Sequence, residues 1–308
     1  MDFLANLGTY IASDLRTCVP ILFASLGLLM MSRSGLTNIG AEGIMLMSAL
    51  FAVVGSYYFD SVWIGLVFAM AVGALMGLFF ALLTVTLQAN QIVVGAAFNI
   101  LGSGLTVILN RIIFGLSDTA INVDSFQNLH IPGLSDIPFL GTVLFSHKMP
   151  VYIAFLMVPV ISYYLFKTPM GLNLRSVGEN PKAADTLSIN VYGVRYKASA
   201  IGGTLMGLGG AFLSTGLLTF FSEDMTAGRG YIALAAVIFG KYKPVGVMFA
   251  SMLFAAGTVI ANALQAANSV IPYNFLVMIP YVLTILALAG FAGKAVAPAA
   301  AGKPYKRG

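Results

Sequence analysis

The sequence is poor in charge. Asp, Glu, Lys and Arg make up 9% of its 308 residues, where a water-soluble domain carries about a quarter. Most of its surface must therefore face something other than water. Cysteine is almost absent: Cys18 is the only one, which excludes an intrachain disulfide and a cysteine-based metal cluster. Its context, Arg16-Thr17-Cys18-Val19, does not look like a lipoprotein cleavage site. No basic segment precedes an early apolar run, so no removable signal peptide is read. His130 and His147 are the only histidines, and both read as solvated loop residues. The chain holds no G-x-x-x-x-G-K-[ST], no HExxH, no GxSxG and no carboxylate pair buried in an apolar run. Catalysis, cofactor or metal binding and nucleotide-phosphate binding thus have no motif here. Any ATP must be used by another subunit. No composition shift or Pro/Ser-rich linker divides the chain.

Long apolar runs are what the sequence has. Hydrophobic residues are 59% of it, and mean hydropathy is +0.92. A helix of about 20 apolar residues crosses a bilayer core. Val62–Leu87, Gln91–Asn110, Ala198–Phe221, Pro244–Ala267 and Val270–Gly293 carry no charge, and Met149–Phe166 is a slightly short uncharged run. Ile39–Phe59 is interrupted only by Glu42. Val19–Met31 is too short alone and needs the stretch from Tyr10, with Asp14 and Arg16, to complete a crossing. Gly230–Phe239 is short as well. The expected fold is all-α and integral to the membrane, with about nine transmembrane helices in one domain over residues 1–293. A flexible Ala/Pro/Gly-rich tail over 294–308 follows.

Charge orients these spans. With the N-terminus outside and the C-terminus cytoplasmic, Arg16, Arg111, Lys148 and Arg229 stay outside, and the other twelve of the 16 Lys and Arg fall inside. That is a clear positive-inside bias. It holds only if the short Gly230–Phe239 run crosses.

Two interruptions stand out. Ser34-Gly35-Leu36-Thr37-Asn38-Ile39-Gly40-Ala41-Glu42-Gly43 sets polar groups and glycines between two apolar runs. Asn38 fits an N-cap, and Glu42 falls in the first turn, where the helix dipole favours a carboxylate. The stretch fits either a tight cytoplasmic turn or a broken helix whose polar backbone lines a cavity. Met225–Ala236 echoes it, with Thr226 matching Thr37, Gly230 matching Gly43 and Arg229 matching Glu42. Interrupted helices in two oppositely oriented halves would make an inverted repeat around a central pathway. Asn38, Glu42, Asn99, Asn262 and Tyr231 are candidate pathway residues, and Phe98 and Phe221 candidate stacking surfaces. Asn99 and Asn262 fit interhelical hydrogen bonding equally well, and the phenylalanines fit ordinary packing. Gly73-x-x-x-Gly77 and Gly203-x-x-x-Gly207 read as close helix packing.

The longest cytoplasmic connection is 168–197. Asn180 followed by Pro181 reads as an N-cap and first helical residue, opening a short helix over Pro181–Ser188 with Ala183, Ala184 and Leu187 on one small apolar face. Such a knob suits a groove on a partner, though an ordinary basic loop has the same composition. The outer segment 114–148, with Asp118, Asp124 and Asp136, is either a dock or a connecting loop.

Three motifs occur in order: S-G-L-T-N-I-G-A-E-G-I-M-L, V-G-E-N-P-K-A-A-D-T-L-S-I-N-V and G-Y-I-A-L-A-A-V-I-F-G-K-Y-K-P-V-G. Together they resemble permease subunits of bacterial ATP-binding cassette importers, in the group that takes up simple sugars, branched-chain amino acids and nucleosides. The form N-I-G-x-E-G is most similar to nucleoside permeases that work with a purine-nucleoside-binding lipoprotein. The resemblance covers about residues 15–293. It implies a type II-like importer permease paired with a homologous permease, a cytoplasmic ATPase beneath and a substrate-binding lipoprotein above, in the bacterial inner membrane. It implies that the helix near Pro181, with Gly178, Glu179, Asn180, Ala183, Ala184 and Leu187, is the coupling helix seated in the ATPase. No cofactor, metal or nucleic-acid partner is expected. A simple-sugar cargo is the alternative within the family, and a secondary transporter coupled through Glu42 is the alternative outside it.

Overall fold

The computed structural model describes residues 2–115, 121–129, 140–267 and 296–306, with isolated positions at 275, 278, 279 and 282. Apart from those isolated positions, the expected last span, Val270–Gly293, lies outside the described residues, as do His130, Asp118 and Asp136. Among the described residues the regular structure is all helical: α1 (Asp2–Arg33), α2 (Ala41–Phe59), α3 (Val62–Ala81), α4 (Gln91–Phe114), α5 (Leu140–Leu144), α6 (Met149–Lys167), α7 (Pro169–Glu179), α8 (Pro181–Thr186), α9 (Val191–Ala211), α10 (Arg229–Phe239) and α11 (Pro244–Ala266). Helices α3 and α9 each continue as a π-helical turn, at Leu82–Thr86 and Phe212–Leu217. Seven helices are long and apolar enough to cross a membrane, and α10 is a shorter apolar helix. Asp14 and Arg16 do sit inside the first span.

The helix starts follow local chemistry. Asn90, Thr168, Asn180 and Asn190 each accept a hydrogen bond from a backbone N–H of the turn they open, and proline stands in the first turn of α6, α7, α8 and α11. Helices α3 and α10 have neither a side-chain cap from their own N-cap residue nor a first-turn proline, and the same holds for α2. Its cap is Gly40, which offers no side chain; Asn38 instead accepts from the Gly40 N–H at 2.7 Å, so the expected Asn38 cap is displaced by two residues.

The centre is built from α1, α2, α3 and α9. Both glycine motifs lie where α3 meets α9: a Cβ on Gly73 would strike the Gly203 carbonyl, one on Gly77 the Ser199 carbonyl, and one on Gly207 the Ala69 carbonyl. Helix α4 packs on α2 along one side only, leaving Ile100, Ile108 and Ile112 exposed.

One end of the bundle carries Arg33, Lys167, Lys182, Arg195, Lys197, Lys241 and Lys243. Arg195, 0% exposed, donates from Nε to the Ser34 carbonyl and from Nη1 to the Lys303 carbonyl. The tail, expected to be loose, is seated here. Ala300 N–H donates to Gly178 O at 2.9 Å and Gly302 N–H to Gly35 O at 3.1 Å, and Tyr305 packs with Val177, Ala184 and Val191. Its small residues allow close backbone contact, and one tyrosine supplies the anchor.

At the far end, His147 is buried at 1% exposure rather than solvated. Its Nδ1 accepts from Arg16 Nε at 3.3 Å and its Nε2 donates to Val143 O at 2.7 Å. Burial, the largest effect, holds the imidazole below its ordinary pKa, and the cation of Arg16 adds to this against the opposing hydrogen bond to Val143.

Candidate functional site

After Arg33 the chain does not turn over at the surface. Residues 34–40 run without helix until α2 opens at Ala41, and two helices measure how far they climb. Helix α10 has 11 residues, about 16 Å at 1.5 Å per residue. Its first turn touches Glu42, and Tyr242, just past its last, accepts from Arg33. Along α9, Arg195 sits at Ser34 and Gly210 against Met45, a rise of about 22 Å. Both rulers put Glu42 about 16–18 Å above the basic end, half-way through a hydrocarbon core of about 30 Å.

The climbing backbone is paired by side chains. Thr37 N–H donates to Gln91 Oε1 at 2.6 Å, Gly40 N–H to Asn38 Oδ1, and Gly43 N–H to Asn99 Oδ1 at 3.0 Å. Asn99 Nδ2 donates in turn to Ile39 O at 3.1 Å and Tyr231 Oη at 2.7 Å. Irregular backbone at membrane depth requires this kind of pairing.

From the opposite end, residues 218–228 descend without regular helix until α10 starts. Glu42 holds the meeting point. Its Oε1 accepts from Gly228 N–H at 2.7 Å and its Oε2 from Gly230 N–H at 2.6 Å. The carboxylate thus stands in the first turn of α2 and caps α10 as well, at two positive dipole ends. Gly228 takes φ +82° to turn the chain into α10, and a Cβ on Gly230 would strike the backbone of Glu42. Arg229, aligned with Glu42 by sequence, turns back onto the Met225 and Thr226 carbonyls.

The structure therefore brings together Asn38, Glu42, Asn99 and Tyr231. Phe98 adjoins this cluster through its Cβ and backbone, which lie against Gly40 and Gly43, whereas Phe221 and Asn262 lie elsewhere. Phe98 is buried between the rings of Phe79 and Phe80, Phe221 is buried among Leu46, Leu50 and Met225, and Asn262 is exposed on α11. Both rings are buried between helices. Gln91 and Ser103 were missed, although Gln91, Gly95, Asn99 and Ser103 recur every four residues, a readable stripe on one face of α4. Ser103 Oγ donates to Asp224 Oδ1 at 2.7 Å, and Arg111 pairs with Glu223 at 3.3 Å.

At the basic end, Asn180 caps α8 by accepting from Ala183 N–H at 3.1 Å. The expected apolar face is split: Ala184 is 2% exposed and belongs to the interior, while Leu187 is 74% exposed and Ala183 also faces out. A six-residue helix cannot present residues 183, 184 and 187 together once Tyr305 occupies one side. Gly178 is buried against the Arg33 carbonyl, and Glu179 is exposed and accepts from Ala299 N–H.

Residues 10–293 match the family described as branched-chain amino acid transport system / permease component. The chain belongs to that family. It is 39% identical over all of its length, and 99% of the relative's, to the guanosine ABC transporter permease protein NupQ of Bacillus subtilis. It is 38% identical over 99% of both chains to the nucleoside ABC transporter permease protein NupC of Lactococcus lactis. A third relative, TsgC13 of Haloferax volcanii, provisionally named a glucose ABC transporter permease, is 33% identical over 82% of this chain and 76% of its own. No solved structure matches. The chain is a multi-pass membrane protein of the permease kind.

Proposed function

We propose that this chain is the membrane-spanning subunit of an ATP-binding cassette importer and that it passes nucleosides into the cell. The observation that carries the proposal is the meeting of two interrupted segments half-way through the bundle, joined by Glu42, Asn99 and Tyr231. Amide, hydroxyl and peptide groups there suit a neutral, polar solute better than an ion. Full-length likeness to permeases named for guanosine and for nucleosides points the same way.

The basic end is then cytoplasmic, the N-terminus outside and the C-terminus inside. The two interrupted segments open the oppositely oriented halves of a type II-like importer, with the span at 270–293 completing nine. The exposed apolar face of α4 is covered by a second, homologous permease, so that the pathway runs between the two. Leu187, Ala183, Asn180 and Glu179 meet the ATPase, which hydrolyses ATP; the permease itself catalyses nothing. Segment 114–148 receives the substrate-binding lipoprotein.

Sugar is the second reading, favoured by the likeness to TsgC13. A secondary transporter coupled through Glu42 fits less well, because both carboxylate oxygens are taken by backbone N–H groups. Uptake of labelled guanosine, adenosine, uridine and ribose by cells with and without the gene tests the proposal. Loss of nucleoside uptake on deletion supports it, and loss of ribose uptake alone moves the cargo to sugars. Uptake that survives removal of the ATPase overturns the importer reading.

A further inference from the structure

Above Asn99 and Tyr231, towards the outer end, the polar contacts do not stop. Ser103 lies one turn further along α4, about 6 Å outward of Asn99, and its hydroxyl holds Asp224 Oδ1 at 2.7 Å. The descending segment gives the same level. Thr219 O accepts from Val123 N–H at the far end of the bundle and Gly228 meets Glu42 at half depth, with Asp224 between them. Asp224 is exposed. An exposed carboxylate in the outer third of a core about 30 Å thick faces water rather than lipid. Asn99, Ser103 with Asp224, and then Arg111 with Glu223 thus mark a wet track from the outer surface to the centre.

We propose that Asp224 is a specificity-determining residue of this track, accepting hydrogen bonds from the vicinal hydroxyls of a ribose ring as it moves towards Asn99 and Tyr231. The inference rests on the nucleoside-importer reading. One carboxylate oxygen is oriented by Ser103, and the other has no hydrogen-bond partner among the described residues. A carboxylate accepts from two neighbouring O–H groups, and a 2′-deoxyribose offers only one. The nearby guanidinium groups are engaged, Arg111 by Glu223 and Arg229 by the Met225 and Thr226 carbonyls, so neither takes up the second Asp224 oxygen. Non-helical, left-handed Asp224 (φ +51°) also places this side chain where a continuous helix would not.

The test uses deletion cells carrying the natural chain, Asp224→Ala or Ser103→Ala, each measured for uptake of labelled guanosine and 2′-deoxyguanosine. The natural chain is expected to favour guanosine, and Asp224→Ala to cut guanosine uptake about tenfold, the worth of one hydrogen bond to a charged group, with far less effect on the deoxynucleoside. Ser103→Ala is expected to act in the same direction and more weakly. Equal loss for both solutes, no change, or a natural chain without preference overturns the role of Asp224. Natural cells that import neither nucleoside sink the cargo reading itself. If Asp224→Ala does not reach the membrane, Asp224→Cys decides with a membrane-impermeant thiol reagent, since buried Cys18 leaves the natural chain as a blank. Labelling that guanosine slows supports the track, and absence of labelling overturns it.

Discussion

Glu42 Oε2 accepts the Gly230 N–H at 2.6 Å, joining the start of α2 to the start of α10 half-way through the bundle. With the Gly228 bond, one side chain satisfies two N–H groups that have no partner within their own helix. Glu42→Gln keeps one acceptor oxygen and turns an amide towards a donor, and Glu42→Ala leaves both N–H groups without it. We expect losses of about 1–3 kcal/mol per stranded group, read as a lowered Tm of the purified protein, with Ala worse than Gln. Glu42→Asp, one methylene shorter, should fall between. An unchanged Tm in Glu42→Ala would show that the clasp is not what holds the segments.

Ala184 and Leu187 are expected to behave oppositely. Ala184→Arg forces a charge into the space shared with Val177, Val191 and Tyr305, and should lower membrane levels and Tm. Leu187→Arg changes an exposed side chain; it should leave stability within about 0.5 kcal/mol of the natural protein while weakening co-purification with the ATPase. Normal ATPase binding in Leu187→Arg would move the docking surface elsewhere.

The C-terminal segment provides a related measurement. Tyr305→Ala removes the largest side chain of that small core and should cost about 2–4 kcal/mol locally. Limited proteolysis from the basic end should then cut within 296–306 where the natural chain resists. Equal resistance would mean that the backbone bonds to Gly178 and Gly35 suffice.

His147 gives the far end a pH dependence. Its imidazole is held below the ordinary value of 6.5, chiefly by burial, so the unfolded state takes up protons first as the pH falls. The stabilisation is complete above about 6.5, is lost as pH drops through the folded pKa and levels off below it. Tm should therefore fall between pH 7.5 and 5.5. His147→Gln can still meet Arg16 and Val143 without titrating, and should flatten that part of the profile.

Much of this was legible in the chain. The seven described spans, the cap at Asn180 and the close packing at the glycine motifs follow from periodicity, local hydrogen bonding and side-chain size. The pairing of Asn99 with Tyr231 across 132 positions does not, because nothing local distinguishes a bonding asparagine from Asn262, exposed on α11. The sequence leaves Phe98 and Phe221 open for the same reason: an aromatic in an apolar run carries no mark of whether a ring or a pathway lies beside it. The tail was misjudged because composition reports the lack of a core of its own, whereas Tyr305 uses the core of another segment.

Gly203 and Gly104 separate packing from propensity in one experiment. Both lie inside helices. A Cβ on Gly203 would strike the Gly73 carbonyl, a backbone atom that cannot rotate away, whereas one on Gly104 meets nothing within 4 Å. Gly203→Ala must push α3 from α9 and should cost about 1–3 kcal/mol. Gly104→Ala restricts the unfolded chain without a clash and should gain about 0.4–1 kcal/mol. The Tm of the purified single chain should therefore fall in the first variant and rise in the second. A fall in both would mean that Gly104 also lies against another part of the chain, and no fall in Gly203→Ala would mean that α3 and α9 sit further apart than the glycine contacts imply.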